Sequence, residues 1–169
     1  MSKGVFDVYY GILKLKNQEV LCACSDVGLV YLGSVMETYE DMCRFLKRDD
    51  LVLNQEAISH VQVQMDQYFA GDLKAFDLPL DVMGTDFQKK VWLMLLQIPF
   101  GKSVSYSELA ALLNTKAVRA VGSAVGKNPV MVVIPCHRVL SKGGGLGGFR
   151  GGLATKRMLL DLEGIQYSE

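Results

Sequence analysis

Cys136 and His137 stand side by side in "VVIPCHRVLSKGGGLGGFRGG", a thiol and an imidazole between an apolar run and a loop with seven glycines. A thiolate is a strong nucleophile and an imidazole is the usual proton acceptor near neutral pH. A cysteine is more often a small buried hydrophobe than a nucleophile. Its place after the apolar run "VMVVI" and before a flexible loop is where a chain can present a group to a cleft. Neighbours on an extended chain point to opposite faces, so the pair need not touch, and a bridging water can carry the proton instead. A histidine acting as base needs a carboxylate on its other nitrogen, and Glu163, in an otherwise apolar stretch, is a candidate.

The elements that must position these groups can be read from capping and periodicity. Thr85 and Gln88 form a T-x-x-Q capping box opening "FQKKVWLMLLQI", with Phe87, Val91, Met94 and Leu95 expected on one face. Pro99-Phe100-Gly101 stops that helix. Ser105 and Glu108 form a second box, S-x-x-E, opening "YSELAALL", and Thr115 is placed to cap "KAVRAVGSAVGK". Two short helices across a tight turn fit a helix-turn-helix. "VMVVI" reads as a buried strand, and "LATKRMLLDLEG" as a last amphipathic helix closed by Gly164.

The first 84 residues read differently. "GVFDVYYGILKL", "EVLCACS" and "GLVYLGS" are short β-type runs of a small antiparallel sheet, followed by helices in "ETYEDMCRFLKR" and "QEAISHVQVQMDQYFAG". "DLKAFDLPLDVMG" reads as a connector, so two domains are expected, 1–84 and 85–169, in an α+β chain. Residues 1–84 carry 7 basic and 13 acidic residues, whereas residues 85–169 carry 11 and 5. A basic C-terminal half suits a polyanion, although the whole chain of 169 residues is neutral. No run is long enough to span a membrane, and "MSKGVFDVYY" does not read as a signal peptide, so a soluble intracellular protein with free thiols is expected.

The expected recognition helix is poor in side chains that read base edges. It offers Arg119 and Ser123, while Ala117, Ala120, Gly122 and Ala124 are small. Such a helix approaches a groove closely with one probe. Together with a buried thiol, it fits an enzyme acting on a base taken out of the stack.

"FGKSVSYSELAALL", "KAVRAVG", "NPVMVVIPCHRV", "GGL" and "LEG", in this order from Thr85 to about Gly164, resemble the O6-alkylguanine-DNA alkyltransferases, the methylated-DNA–protein-cysteine methyltransferases. The first 84 residues match them only in strand-then-helix order, and the resemblance implies a ribonuclease H-like N-terminal domain. It further implies direct, irreversible transfer of an alkyl group from O6-alkylguanine, with O4-alkylthymine as a further candidate substrate, to Cys136, with the base flipped out through the minor groove. His137 would take the thiol proton through a water and Glu163 would orient it. Asn128 would be a hinge. Tyr106 would push on the target phosphate and donate a proton to the departing guanine, and Arg119 would fill the emptied stack. Ala117, Ala120, Gly122 and Ser141 would lie against DNA. The carbonyls of Cys136 and Val139 would meet the guanine amino group, with Met131, Phe149 and Arg150 at the pocket.

The implied attack is by a low-pKa thiolate, and the thioether product is a poor leaving group, so one molecule repairs one base. No cofactor is expected, the partner is double-stranded DNA, and a cytoplasmic monomer without membrane attachment is implied. Some relatives hold zinc in the N-terminal domain with two cysteines and two histidines. Here Cys22 and Cys24 have only His60 available, so no metal is expected, and Cys22, Cys24 and Cys43 read as structural thiols.

The chain departs from the family pattern in four places. Phe149 stands where tyrosine is usual, Met131 where some relatives have a second proline, and Arg150 where some have a small residue. The turn in "LLNTKAV" looks one residue short. Three rival readings are a cysteine hydrolase, which needs a direct Cys–His pair and an oxyanion hole; a DNA-binding protein without chemistry, which Cys136 argues against; and a structural role in which glycine loop and cysteine merely pack, which the simultaneous matches at Tyr106, Arg119, Asn128, Cys136-His137-Arg138 and Glu163 argue against.

Overall fold

The computed structural model describes residues 6–169, so the extreme N-terminus and the first two residues of "GVFDVYYGILKL" lie outside the described residues. The chain divides into two compact units, Met1–Met83 and Gly84–Glu169. No helix among the described residues is long and apolar enough to cross a membrane.

In the first unit β1 (Val8–Leu15) and β2 (Gln18–Ser25) form a hairpin about the two-residue turn Lys16-Asn17, with Leu15 opposite Gln18. β3 (Leu29–Leu32) adds antiparallel to β2, with an irregularity between Ala23 and Cys24. To this expected antiparallel arrangement the structure adds β4 (Val52–Leu53), which runs parallel to β1 at the edge, giving the order β3-β2-β1-β4. Beyond β4 two glutamine amides continue the ladder. Gln55 exchanges hydrogen bonds with the backbone of Ile12 at 2.7 and 2.9 Å, and Gln62 does so with Lys14 at 2.8 and 2.9 Å. The otherwise open edge of β1 is thereby satisfied.

α1 (Tyr39–Leu46) starts at a Thr38–Asp41 capping box, and α2 (Ser59–Phe69) follows a 3-10 turn over Glu56–Ile58. Met42 and Leu46 pack with Val8, Ala23, Val30 and Tyr31 in one apolar cluster. Cys22 and Cys24 lie buried on β2 as free thiols, hydrogen-bonded to each other.

The second unit is mostly helical. α3 (Asp86–Leu95) opens at the Thr85–Gln88 box, and α4 (Tyr106–Leu112) at the Ser105–Glu108 box. The buried face of α3 differs from the expected one. Val91, Trp92 and Leu95 are buried, whereas Phe87 is 38% exposed. Trp92 wins the interior because its indole Nε1 donates to the Ala124 carbonyl at 2.9 Å, so the large ring is buried with its polar atom satisfied.

α5 (Val118–Gly126) begins later than expected. Thr115 does not cap it; its Oγ1 accepts from the Ala117 N–H, closing a local turn one step before the helix. α5 buries Val121, Ala124 and Val125 and leaves Ala117, Arg119, Ala120 and Ser123 exposed.

"VMVVI" is not a strand. Met131 and Ile134 bridge each other around a tight turn in which Val132 has φ 72° and the Val133 N–H donates to the Met131 carbonyl at 2.9 Å. This is a γ-turn with positive φ, rare and strained for a β-branched residue. Surrounding bonds hold it, as described below. After Cys136–Arg138, a single 3-10 turn, β6 (Val139–Leu140) pairs in parallel with β5 (Val104–Ser105). α6 (Leu153–Glu163) ends at Gly164, whose φ of 69° suits a left-handed cap.

Candidate active site

Asn128 sets the path into the site. It is 1% exposed, and its Nδ2 donates to the Ile134 carbonyl at 2.8 Å while its Oδ1 accepts from Val130 N–H at 2.9 Å. One side-chain amide thus staples both ends of the Val132 turn. Pro135 then turns the chain again, with the Cys136 N–H donating to the Ile134 carbonyl at 2.8 Å. The 3-10 turn that follows rotates successive side chains by about a third of a circle. Cys136 and His137 therefore face different surroundings although they are adjacent.

Cys136 faces a cavity of about 620 Å³ within the second unit. Tyr106, Arg119 and Gly122 of the two-helix motif form one wall. Asn128 and Met131 adjoin the cysteine, and Ser141, Gly147, Gly148, Phe149 and Arg150 of the glycine loop form the other side. Two glycines are required here. A Cβ on Gly147, at φ 66°, would lie 2.8 Å from Ser141 Oγ, and one on Gly151 would lie 2.7 Å from the Phe149 ring and 3.2 Å from Met131 Cε.

His137 is fully buried behind the cysteine. Its Nε2 meets Glu163 Oε1 at 2.9 Å, and its Nδ1 is buried with no hydrogen-bond partner. A carboxylate only accepts, so the proton sits on Nε2 and Nδ1 presents a lone pair. Burial lowers the histidine pKa and the Glu163 carboxylate raises it; burial prevails, and the ring is neutral at rest.

Glu163 is itself gripped by Arg138, whose Nε donates to Oε2 at 2.8 Å and whose Nη2 donates to Oε1 at 2.7 Å. The third guanidinium nitrogen donates to the Ile98 carbonyl at 2.6 Å. The Glu163 carboxylate therefore bridges one imidazole and one guanidinium in the interior.

The thiol departs from expectation. Burial pushes the Cys136 thiol above the ordinary range, against the downward pull of an Asn128 hydrogen bond and the charges of Arg150 and Lys156. At rest it is protonated. Burial and the nearby Cys136 also raise Tyr106, which keeps its phenolic proton.

Not every expected residue lines the cavity. Ala117 and Ala120 lie exposed on the outer face of α5. Val139 is buried, and its carbonyl accepts from Lys156 Nζ at 2.8 Å. Lys156 was not anticipated. It is fully buried, donates also to the Leu146 carbonyl, and so joins β6 to the glycine loop; burial lowers its pKa to about 8. Its signal was present in the sequence, because Lys156, Leu160 and Glu163 recur at helical spacing on the buried face of α6. Arg138, the anchor of Glu163, enters the sequence reading only within the Cys136-His137-Arg138 match, with no role of its own.

Residues 86–165 match the family model described as the DNA-binding domain of 6-O-methylguanine DNA methyltransferase, and residues 8–82 match its ribonuclease-like domain. An inducible methylated-DNA–protein-cysteine methyltransferase of Bacillus subtilis is 39% identical over 167 residues, covering 96% of this chain and 93% of the relative. A methylated-DNA–protein-cysteine methyltransferase of Mycobacterium bovis is 49% identical over 136 residues, covering 80% and 79%. Among solved structures, Mycobacterium tuberculosis OGT in complex with DNA aligns with a TM-score of 0.83 at 38% identity over 92% of each chain. With both domains matched and relatives this similar along nearly its whole length, the chain belongs to the methylated-DNA–protein-cysteine methyltransferase family.

Proposed function

We propose that the protein repairs O6-alkylguanine in double-stranded DNA by moving the alkyl group to Cys136, once per molecule. One observation carries this reading: the Cys136 thiol opens on the same cavity as Tyr106 and Arg119 of the two-helix motif, with a neutral, carboxylate-held histidine behind it. The exposed face of α5 enters the minor groove, where small side chains allow close approach. Arg119 takes the place of the flipped base, and Tyr106 stands against the target phosphate.

With guanine in the cavity, His137 Nδ1 accepts the Cys136 proton through a bridging water, and the Glu163 carboxylate stabilises the resulting imidazolium. The sulfur attacks the carbon on O6, the C–O6 bond breaks, and its electron pair leaves with guanine, which takes a proton from Tyr106. Asn128 acts as the hinge between α5 and the cysteine turn. Ser141 and Phe149 close on the base, and Met131 bounds the alkyl group. The Cys136 and Val139 carbonyls accept from the guanine amino group; each carbonyl has a second lone pair beyond its internal bond. The reaction uses no cofactor. The protein acts as a cytoplasmic monomer, and O4-alkylthymine is a further candidate substrate of the same displacement.

Mass spectrometry of the protein mixed with an equimolar duplex holding one O6-methylguanine tests this reading. The Cys136 peptide gains one methylene unit, once only, and Cys136→Ser gains none. Lesion binding without modification would show a recogniser, and turnover of an ester or amide would show a hydrolase.

A further inference from the structure

Arg150 brings a guanidinium into a cavity whose other lining residues, Arg119 apart, are apolar, small or neutral polar groups around the thiol. It is half-buried, and its Nη2 donates to the Asn128 carbonyl at 2.9 Å, which fixes the planar group on the cavity wall. Its charge is felt at Cys136, so it lies within electrostatic reach of the reacting sulfur. Among the described residues, none lining the cavity carries a carboxylate. The other lining cation, Arg119, projects from the exposed face of α5. A cavity with a fixed guanidinium and no acidic group is complementary to an anion, and a guanidinium fork suits a carboxylate best.

Resting on the alkyl-transfer reading, we propose that Arg150 makes this protein selective for O6 substituents that end in a carboxylate, such as carboxymethyl, over neutral groups of the same shape. Such a substituent brings a second negative charge beside a sulfur that must itself ionise. Without a cation the two charges would oppose each other in a dehydrated site. Arg150 offsets both. The step is the same displacement: the thiolate sulfur bonds to the methylene carbon, the C–O6 bond breaks, guanine leaves with that electron pair and is protonated, and Cys136 becomes S-carboxymethylcysteine. No further reactant is needed.

The experiment measures single-turnover transfer from three duplexes identical except for the O6 group: methyl, carboxymethyl and carbamoylmethyl. The last is the neutral isostere. Wild type is expected to take carboxymethyl faster than carbamoylmethyl by about tenfold or more, the worth of one charge-assisted hydrogen bond. Arg150→Gln is expected to bring that ratio close to one, and Arg150→Lys to keep part of it.

A wild-type ratio of one or below overturns the proposal without any variant, so a poorly folding variant does not shield it. If Arg150→Gln slows all three duplexes equally and the ratio stays, the arginine serves a DNA phosphate and the proposal fails. If methyl transfers normally but carboxymethyl shows no preference, only this inference falls. If nothing transfers from any duplex, the alkyl-transfer reading falls with it.

Discussion

Replacing Glu163 by glutamine separates what its carboxylate does for the fold from what it does for the reaction. Oε1 accepts from His137 Nε2 and Arg138 Nη2, and Oε2 accepts from Arg138 Nε and, at 3.3 Å, from the Gly101 N–H. Glutamine must put an amide NH₂ in one of these places. At Oε1 it would face two donors at short range. At Oε2 it faces Arg138 Nε and the longer Gly101 bond, so this orientation is preferred and the histidine tautomer survives.

The buried Arg138 then loses one hydrogen bond and its counter-charge, a cost of about 3–5 kcal/mol. Against a total of about 5–15 kcal/mol for a small protein, that is a large drop in the urea midpoint. The transfer rate falls separately, because no anion stabilises the imidazolium. Losing about 1.5–3 kcal/mol there slows the reaction about 10–100-fold. Single-turnover transfer from an O6-methylguanine duplex, run in buffer where both proteins are folded, reads the second effect; urea unfolding reads the first. A rate within about threefold of wild type, with stability lost, would refute the role of Glu163 in proton transfer. Unchanged stability would refute the buried bridge itself.

Other outcomes follow from the same geometry. Asn128→Ala removes two buried hydrogen bonds and strands the Val130 N–H, while the Ile134 carbonyl keeps the Cys136 N–H, so unfolding free energy drops by about 2–4 kcal/mol; a change under about 0.5 kcal/mol in urea titration would contradict the staple. Gly151→Ala forces its Cβ against the Phe149 ring, costing about 1–3 kcal/mol and slowing transfer of bulky O6 groups more than methyl, as paired rate measurements would show. Lys156 titrates near 8 when folded and at its ordinary 10.5 when unfolded. The unfolded chain therefore takes up the proton first as pH falls. The lysine's contribution is fully present above 10.5 and is lost as pH falls to about 8. Wild type should gain stability over Lys156→Met as pH rises through that window, and parallel curves would count against a desolvated ammonium.

Capping boxes were legible because they are local: Thr85–Gln88 and Ser105–Glu108 each satisfy helix-end donors within four residues, and both form as read. The Thr38–Asp41 box went unnoticed because aspartate replaces the usual glutamate or glutamine at its third position. "VMVVI" misled because five apolar residues carry the signature of a buried strand whether or not a partner exists. Its actual turn depends on Asn128 reaching across six residues to Ile134, which periodicity does not register. β4 is two residues long and exists only through pairing with β1, so no local pattern announces it. At the site, the residue types with obvious chemistry are legible from the sequence. Those acting from behind, Lys156 and Arg138, are given no role by the sequence because basic residues are read as surface by default.

A helix face made of alanine, glycine, one serine and one arginine is difficult to teach a preference. A longer polar side chain at Ala120 would gain an edge contact with some base pairs and forfeit depth of entry at the others. Alkylation damage falls wherever guanine lies, so such a variant would keep its average rate while leaving particular neighbourhoods unrepaired. If α5 enters the groove as proposed, a blank face keeps repair even from site to site, and a polar substitution there would show as sequence-dependent rates before it showed as a lower mean rate.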